Sequence, residues 1–195
     1  AGLYYELSER QAAESKGVIK EVIGLRNNFE KVNRAKKEME KENKRLLVQS
    51  ETDPLTGMAN RRKLNVQADD MFMNALEAGH NFAIEILDVD YFKEYNDNYG
   101  HQAGDMALIT AANVIRSNMR EEDTLIRHGG DEFLMVLPGI GEAEMDMLLD
   151  KICKAVYETE VPGYARLRLS ASIGGVITGN EPIENAVGRA DRLMY

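Results

Sequence analysis

A chain of 195 residues with 44% hydrophobic content can bury one core plus an appendage, and its single cysteine, Cys153, excludes an intrachain disulfide framework and fits a reducing compartment. Net charge is −9, but residues 1–50 hold 11 Lys/Arg against 8 Glu, a net of +3, so the remainder carries −12, which argues against nucleic-acid binding by phosphate neutralisation. No apolar run reaches transmembrane length and no signal-peptide pattern opens the chain, so a cytoplasmic piece of something larger is expected.

Residues 1–50 contain no proline and are predicted to form one long helix. Its apolar positions step by four and three. With Val18 at heptad position d, Val22 and Phe29 fall at a, and Leu25, Val32, Met39 and Leu46 at d. The polar a residues Lys36 and Asn43 cost stability but favour a dimer in one register. Glu21 at g and Arg26 at the next e have the spacing of an interchain pair. The pattern predicts a parallel coiled coil joining two copies, with residues 51–195 as a separate domain. A single amphipathic helix packed on its own domain is the alternative.

Pro54 ends the helix by forcing Asp53 out of the α region. Asp53-Pro54-Leu55-Thr56-Gly57 is then a turn, and Asn60 a helix N-cap. The next helix carries Leu64, Ala68, Met71, Phe72 and Ala75 on one face and stops at Gly79. Residues 81–88 form a strand, interrupted in its apolar run by Glu85. A helix follows with Met106, Ile109, Asn113 and Ile115 towards its buried side. A hairpin is expected over 124–137, with Gly129 and Gly130 both at positive φ, and a helix over 141–158. Met145, Leu148, Leu149, Ile152 and Val156 surround Cys153 on that helix, so the thiol reads as packing and not as a nucleophile. Between 164 and 178, Leu167, Leu169, Ala171 and Ile173 alternate with polar residues, which predicts a sheet with one buried face. Ile183, Ala186, Val187, Ala190 and Leu193 mark a last short helix. The whole reads as α+β, with helices packed on a largely antiparallel sheet.

Two acidic groups stand at strand ends. Asp131 and Glu132 follow the Gly-Gly turn where the chain re-enters a core strand, an arrangement that is costly unless a cation compensates. Asp88-Val89-Asp90 closes the first strand. Carboxylate and carbonyl oxygens of this kind suit Mg²⁺, which also takes phosphate oxygens as ligands. His80, His101 and His128 lack zinc-site spacing, and no Walker A loop is present. Strand-end solvation is the plainer reading of each pair alone.

Motif order resolves this. Asp53-Pro54-Leu55-Thr56-Gly57 and Asn60-Arg61-Arg62 are followed by Asp88-Val89-Asp90-Tyr91-Phe92-Lys93 with Asn96-Asp97. Next come Gly100-His101-Gln102-Ala103-Gly104-Asp105, Arg127-His128-Gly129-Gly130-Asp131-Glu132-Phe133, Ser172-Ile173-Gly174, and Ala190-Asp191 with Tyr195. In this order over 53–195 the chain resembles the GGDEF family, the diguanylate cyclases. That resemblance implies a sheet similar to the palm of polymerases and nucleotide cyclases. It also implies condensation of two GTP into cyclic di-GMP with release of two pyrophosphates, by a dimer. By the same resemblance Asp88, the Val89 carbonyl and Asp131 would hold Mg²⁺, with Mn²⁺ as a substitute, and Asp131 and Glu132 would be catalytic, Glu132 helping to activate the 3′-hydroxyl. Amides around Phe92 and Lys93 would cradle the β- and γ-phosphates, Asn96 and Asp105 would read guanine, and Gly129 and Gly130 would leave room for the nucleotide. Arg120 and Asp123 occupy the place of the family's inhibitory product site, which implies feedback by cyclic di-GMP. The family's pattern continues past the last Tyr with a Lys and an Arg that bind the triphosphate. The given sequence stops at Tyr195, so either the chain is trimmed or this piece lacks those contacts. An upstream sensor and a catalytically silent, nucleotide-binding variant of the domain are also compatible with the resemblance.

Overall fold

The structure, a computed structural model, describes residues 2–66, 81–178 and 181–194. The chain divides into two compact units, 1–49 and 50–195. Helix α1 (Gly2–Glu51) is unbroken, as a proline-free stretch allows. Leu25, Phe29, Val32, Met39 and Leu46 are each 49–66% exposed, so in a single chain the predicted seam has no cover. Arg26 pairs with Glu30 at 3.1 Å, and Lys36 with Glu40 at 3.9 Å, along the same helix. Such exposed pairs contribute a few tenths of a kcal/mol. The side chains of Val18, Glu21 and Val22 lie outside what is described.

The second unit is built on a five-stranded sheet in the order β1-β3-β4-β2-β7. Its strands are β1 (Ala59–Asn60), β2 (Phe82–Val89), β3 (Thr124–Gly129), β4 (Glu132–Pro138) and β7 (Ala171–Thr178). β1 runs parallel to β3, and every other pairing is antiparallel. Besides the helix described over 61–66, four helices are described in this unit: α2 (Phe92–Tyr99), α3 (His101–Asn118), α4 (Glu142–Glu158) and α5 (Ile183–Leu193).

Both faces of the sheet are buried. On one, Ala83, Leu87, Phe133, Met135 and Leu137 pack with Ala107, Leu108, Ala111 and Ile115 of α3 and Ile152 and Val156 of α4. On the other, Phe82, Ile84, Ile86, Leu134 and Val136 pack with Leu64 and with Ile183, Ala186 and Ala190 of α5. This corrects the expectation of a single buried face. A central strand covered on both sides reads as a continuous apolar run, and β2 is buried at every position from Phe82 to Leu87.

The alternation over 164–178 belongs to two strands. β6 (Tyr164–Arg168) pairs with β5 (Glu160–Val161) in a separate ribbon, and β7 pairs with β2. Between them the Ser170 carbonyl accepts from the Asp90 amide at 3.0 Å. The side chains keep one phase across this break, because Leu167, Leu169, Ala171 and Ile173 all pack towards the α3–α4 core.

The buried side of α3 also differs from expectation. It is Ala103, Gly104, Ala107, Leu108, Thr110, Ala111, Ala112 and Ile115, whereas Asn113 is exposed and Met106 and Ile109 are half-buried. Small residues let the helix approach closely, and a reading that weights large side chains overlooks them. Asn60 caps the helix at 61–66 as expected, its Oδ1 accepting from the Lys63 amide at 3.2 Å. The rest of the helix expected there, with Ala68, Met71, Phe72, Ala75 and Gly79, lies outside the described residues. Cys153 is half-buried on α4, and burial pushes its thiol up, which suits a packed and unreactive cysteine.

Candidate active site

The β3–β4 hairpin closes with Gly129 paired to Glu132 across a turn of Gly130 and Asp131. Only Gly130 takes positive φ, at 51°; Gly129 remains in the strand. A Cβ at either glycine would meet no protein atom within 4 Å, so the backbone there is open to a ligand. A register shift between Arg127 and Gly129 makes His128 the extra residue of a bulge.

The sheet register gathers the acidic residues. Asp88 near the end of β2 lies opposite Glu132 on one side and Ser172 on the other. The Val89 amide donates to the Asp131 carbonyl at 3.2 Å, which locks the end of β2 to the hairpin turn. Asp88 is pushed up to about 6, first by burial and then by the charges of Asp131, Glu132 and Asp90. Asp90 differs in kind from Asp88: the Ser172 hydroxyl donates to its Oδ1 at 2.7 Å, and its carboxylate is thereby tied down. Asp88, Asp90, Tyr91, Ser172 and Met194 line an open cavity of about 300 Å³.

The donor set suits a hard divalent cation. Asp88 and Asp131 supply carboxylate oxygens beside the Val89 backbone, and the mutual repulsion recorded at Asp88 is what a cation would relieve. Among the described residues no three His, Cys, Asp or Glu side chains converge into a cage of their own. Mg²⁺ does not need one, since it is typically held by one or two carboxylates with substrate phosphates completing its shell.

β2 passes into α2 through Tyr91, a left-handed residue at φ 57°. The Tyr95 amide bonds the Tyr91 carbonyl at 3.1 Å, which leaves the amides of Phe92 and Lys93 in the first turn without intrahelical acceptors. Amides in that position favour anions. The Lys93 ammonium is exposed beside them. Gly100, at φ 83°, separates α2 from α3, and the two helices pack with Asn96 against Gly104. Asn96 is half-buried at that contact, and Asp105, the residue of α3 that follows Gly104, is exposed.

Arg120 and Asp123 lie between α3 and β3, bonded to each other. Arg120 donates from its amide at 2.7 Å and from Nη2 at 2.9 Å to the carboxylate of Asp123, which is fully buried. Nη2 also reaches the Pro138 carbonyl at 2.9 Å. The Asp123 bond raises the Arg120 guanidinium above its ordinary value.

Three features escaped the sequence reading. Asp53 pairs with Arg127 across the domain, which the separate motifs do not reveal. Glu132 lines a second cavity of about 390 Å³ with Arg61, His128 and Asp191, between helix 61–66 and α5. Glu85, noted only as an interruption, is fully buried with neither carboxylate oxygen bonded. An acid inside an apolar run was the available signal for it.

A largely antiparallel sheet whose central strands end in coupled acids, beside a helix N-terminus and an open Gly-Gly turn, defines a palm-like domain of the nucleotide-cyclase class. The chain belongs to the GGDEF family, for the family described as diguanylate cyclase, GGDEF domain, matches residues 50–195. It is 34% identical over 153 residues to the diguanylate cyclase DgcZ of Escherichia coli, covering 77% of this chain and 51% of that protein. The chain thus spans about half of that relative, and less of the bifunctional cyclase/phosphodiesterase MucR of Pseudomonas aeruginosa, at 19%. The crystal structure of diguanylate cyclase SiaD in complex with its activator SiaC, from Pseudomonas aeruginosa, superposes with a TM-score of 0.75 at 30% identity, over 99% of this chain and 75% of that one.

Proposed function

We propose that the chain is a Mg²⁺-dependent diguanylate cyclase that joins two GTP molecules into cyclic di-GMP. The observation that carries this reading is the coupled acidic group of Asp88, Asp131 and Glu132 at the hairpin, with Asp88 raised to about 6. Asp88, the Val89 carbonyl and Asp131 would hold the divalent cation, with Mn²⁺ able to replace Mg²⁺. The bound ion supplies charge neutralisation for the triphosphate and the departing pyrophosphate.

The chain's own groups do the rest. Phe92 and Lys93 amides donate to the β- and γ-phosphate oxygens. Asp105 accepts from guanine N1–H and the 2-amine, and Asn96 reads the same base from α2. Gly129 and Gly130 let the nucleotide lie against the hairpin. Glu132 accepts the proton of the 3′-hydroxyl, whose oxygen bonds the α-phosphorus of the second GTP while the bond to pyrophosphate breaks. Each GTP attacks the other, so two domains must face one another. The uncovered seam of Leu25, Phe29, Val32, Met39 and Leu46 supports a parallel coiled-coil dimer over residues 1–50, preceding a catalytic domain over 51–195. An upstream sensor acting through that helix, a cytoplasmic location, and product feedback at Arg120 and Asp123 complete the proposal.

The test is incubation of the protein with GTP and Mg²⁺, with nucleotides resolved by chromatography and mass spectrometry. Cyclic di-GMP from the native chain and none from Asp131→Ala is expected. Full turnover by Asp131→Ala would overturn the assignment.

A further inference from the structure

Gly104 sits inside α3, where glycine is the least favourable residue after proline. Its φ is not positive, so no backbone conformation demands it. The demand is spatial. A Cβ at 104 would stand 2.2 Å from Asn96 Oδ1, 2.9 Å from Asn96 Cγ and 3.2 Å from Phe92 Cε2. All three are side-chain atoms of α2.

Asn96 is fixed along the backbone but not by its side chain. Its carbonyl accepts from the Gly100 amide at 2.9 Å at the end of α2, while its carboxamide bonds no described residue. The orientation of that carboxamide is therefore a matter of packing against Gly104 and Phe92. Oδ1 is the atom nearest the place of that Cβ, and Nδ2, the donor of the carboxamide, lies farther from it. A donor in that place matches guanine O6, where adenine carries an amine.

We propose that Gly104 is a positioning residue for base selection: it leaves the room in which the Asn96 carboxamide takes its guanine-reading orientation. The inference rests on the reading of Asn96 as a base contact. Because the obstructed atoms end a short, flexible side chain, a methyl group at 104 displaces the carboxamide and leaves the backbone in place.

The experiment is a double-mutant cycle on the full chain: native, G104A, N96A and the pair. The probes are 3′-deoxy-GTP and 3′-deoxy-ATP with Mg²⁺, which lack the attacking hydroxyl and so report binding without turnover. G104A is expected to raise the Kd for 3′-deoxy-GTP about tenfold, the loss of roughly one hydrogen bond, without changing that for 3′-deoxy-ATP. In the N96A background the same substitution adds less than about twofold. An equal cost in both backgrounds, or equal weakening of both nucleotides, overturns the proposal. If G104A does not fold, restoration of folding by N96A supports the contact, and persistent unfolding overturns it. A native chain that binds the guanine probe yet forms no cyclic product from GTP sinks the cyclase reading, and the binding cycle still decides the role of Gly104.

Discussion

Arg127 Nη1 lies 3.1 Å from Asp53 Oδ1, while Nε and Nη2 of the same guanidinium donate to the Gly130 carbonyl at 3.0 and 2.7 Å. Residues 74 positions apart are thereby clamped to the turn that presents Asp131 and Glu132. Asp53 holds its own end: its Oδ1 accepts from the Thr56 amide and hydroxyl, both at 2.8 Å. Each side chain of the pair is only 16% exposed, so screening by water is weak. Substituting either Asp53 or Arg127 by alanine should lower stability by about 2 kcal/mol. Chemical unfolding of the single and double variants is the check, and additive losses would sink the clamp. Turnover should fall in Arg127→Ala even at temperatures where the domain remains folded, because the Gly130 carbonyl is released.

The same carboxyl sets an acid limit. Burial would raise Asp53, but the bonds from Thr56 and Arg127 and the Arg127 charge outweigh it and hold the group below its ordinary value. A depressed folded pKa contributes stability above the unfolded pKa and loses it as pH falls through the folded value. The contribution of Asp53 is thus present at neutral pH and disappears in acid. Asp53→Asn should cost stability at pH 7, and that cost should shrink as pH falls below the ordinary carboxylate range, measured by unfolding across that range.

Glu85 has the opposite sign. It is completely buried in the middle of β2 and is raised to about 8 by burial and by the charges of Asp123 and Asp146. Gly175 of β7 lies opposite it in the sheet, and a Cβ at Gly175 would stand 3.0 Å from its Cγ, with Met145 and Leu149 of α4 also within 4 Å of that Cβ. The folded state retains a proton that the unfolded chain releases near its ordinary value. Stability therefore declines as pH rises from about 4.5 to about 8. The penalty at pH 7 is of order 3 kcal/mol. Glu85→Leu should raise Tm at pH 8 and flatten the profile between pH 5 and 8. An unchanged slope would show that other groups set it.

Much of this was legible. The acidic pairs at 88–90 and 131–132 and the Gly-Gly turn are local in sequence, and the sheet register sets Asp88 opposite Glu132 at that turn. What escaped depends on tertiary packing. The Asp53–Arg127 clamp crosses between motifs, and the buried side of α3 consists largely of alanines with Gly104, which carry little hydrophobic signal. The exposed Asn113 shows the cost of following only large residues. The alternation over 164–178 was correct for the faces and silent on the change of partner at Ser170, since hydrogen-bond registry leaves no mark on side-chain period.

The seam of α1 gives a prediction on assembly. Lys36 and Asn43 stand at a positions where Ile would pack, and Lys36 is occupied with Glu40 on the surface of its own helix. Replacing both by Ile should strengthen association of two chains at least tenfold, with higher oligomers at high concentration once the polar restriction is gone. Sedimentation across a concentration series reads both effects. An unchanged dimer population and unchanged turnover would count against a coiled coil that sets the facing of two catalytic domains.

Gly174 separates a tolerable clash from an intolerable one. A Cβ there would stand 2.3 Å from the Ala190 carbonyl oxygen, 2.7 Å from the Met194 amide and 3.1 Å from the Leu193 carbonyl carbon. These are backbone atoms of the last turn of α5 and its cap, which no rotamer change can move. That turn is held on the sheet by Ala186 and Ala190, both fully buried, and Met194 beyond it lines the cavity of Asp88 and Asp90. Gly174→Ala must shift the end of α5 bodily, at a cost of about 2–3 kcal/mol. The same displacement opens the wall of that cavity, so nucleotide affinity should fall together with Tm. N96A should rescue G104A but not Gly174→Ala, because only the former is obstructed by a side chain. Equal rescue of both variants would mean that the backbone of α5 yields more readily than its packing against β7 implies.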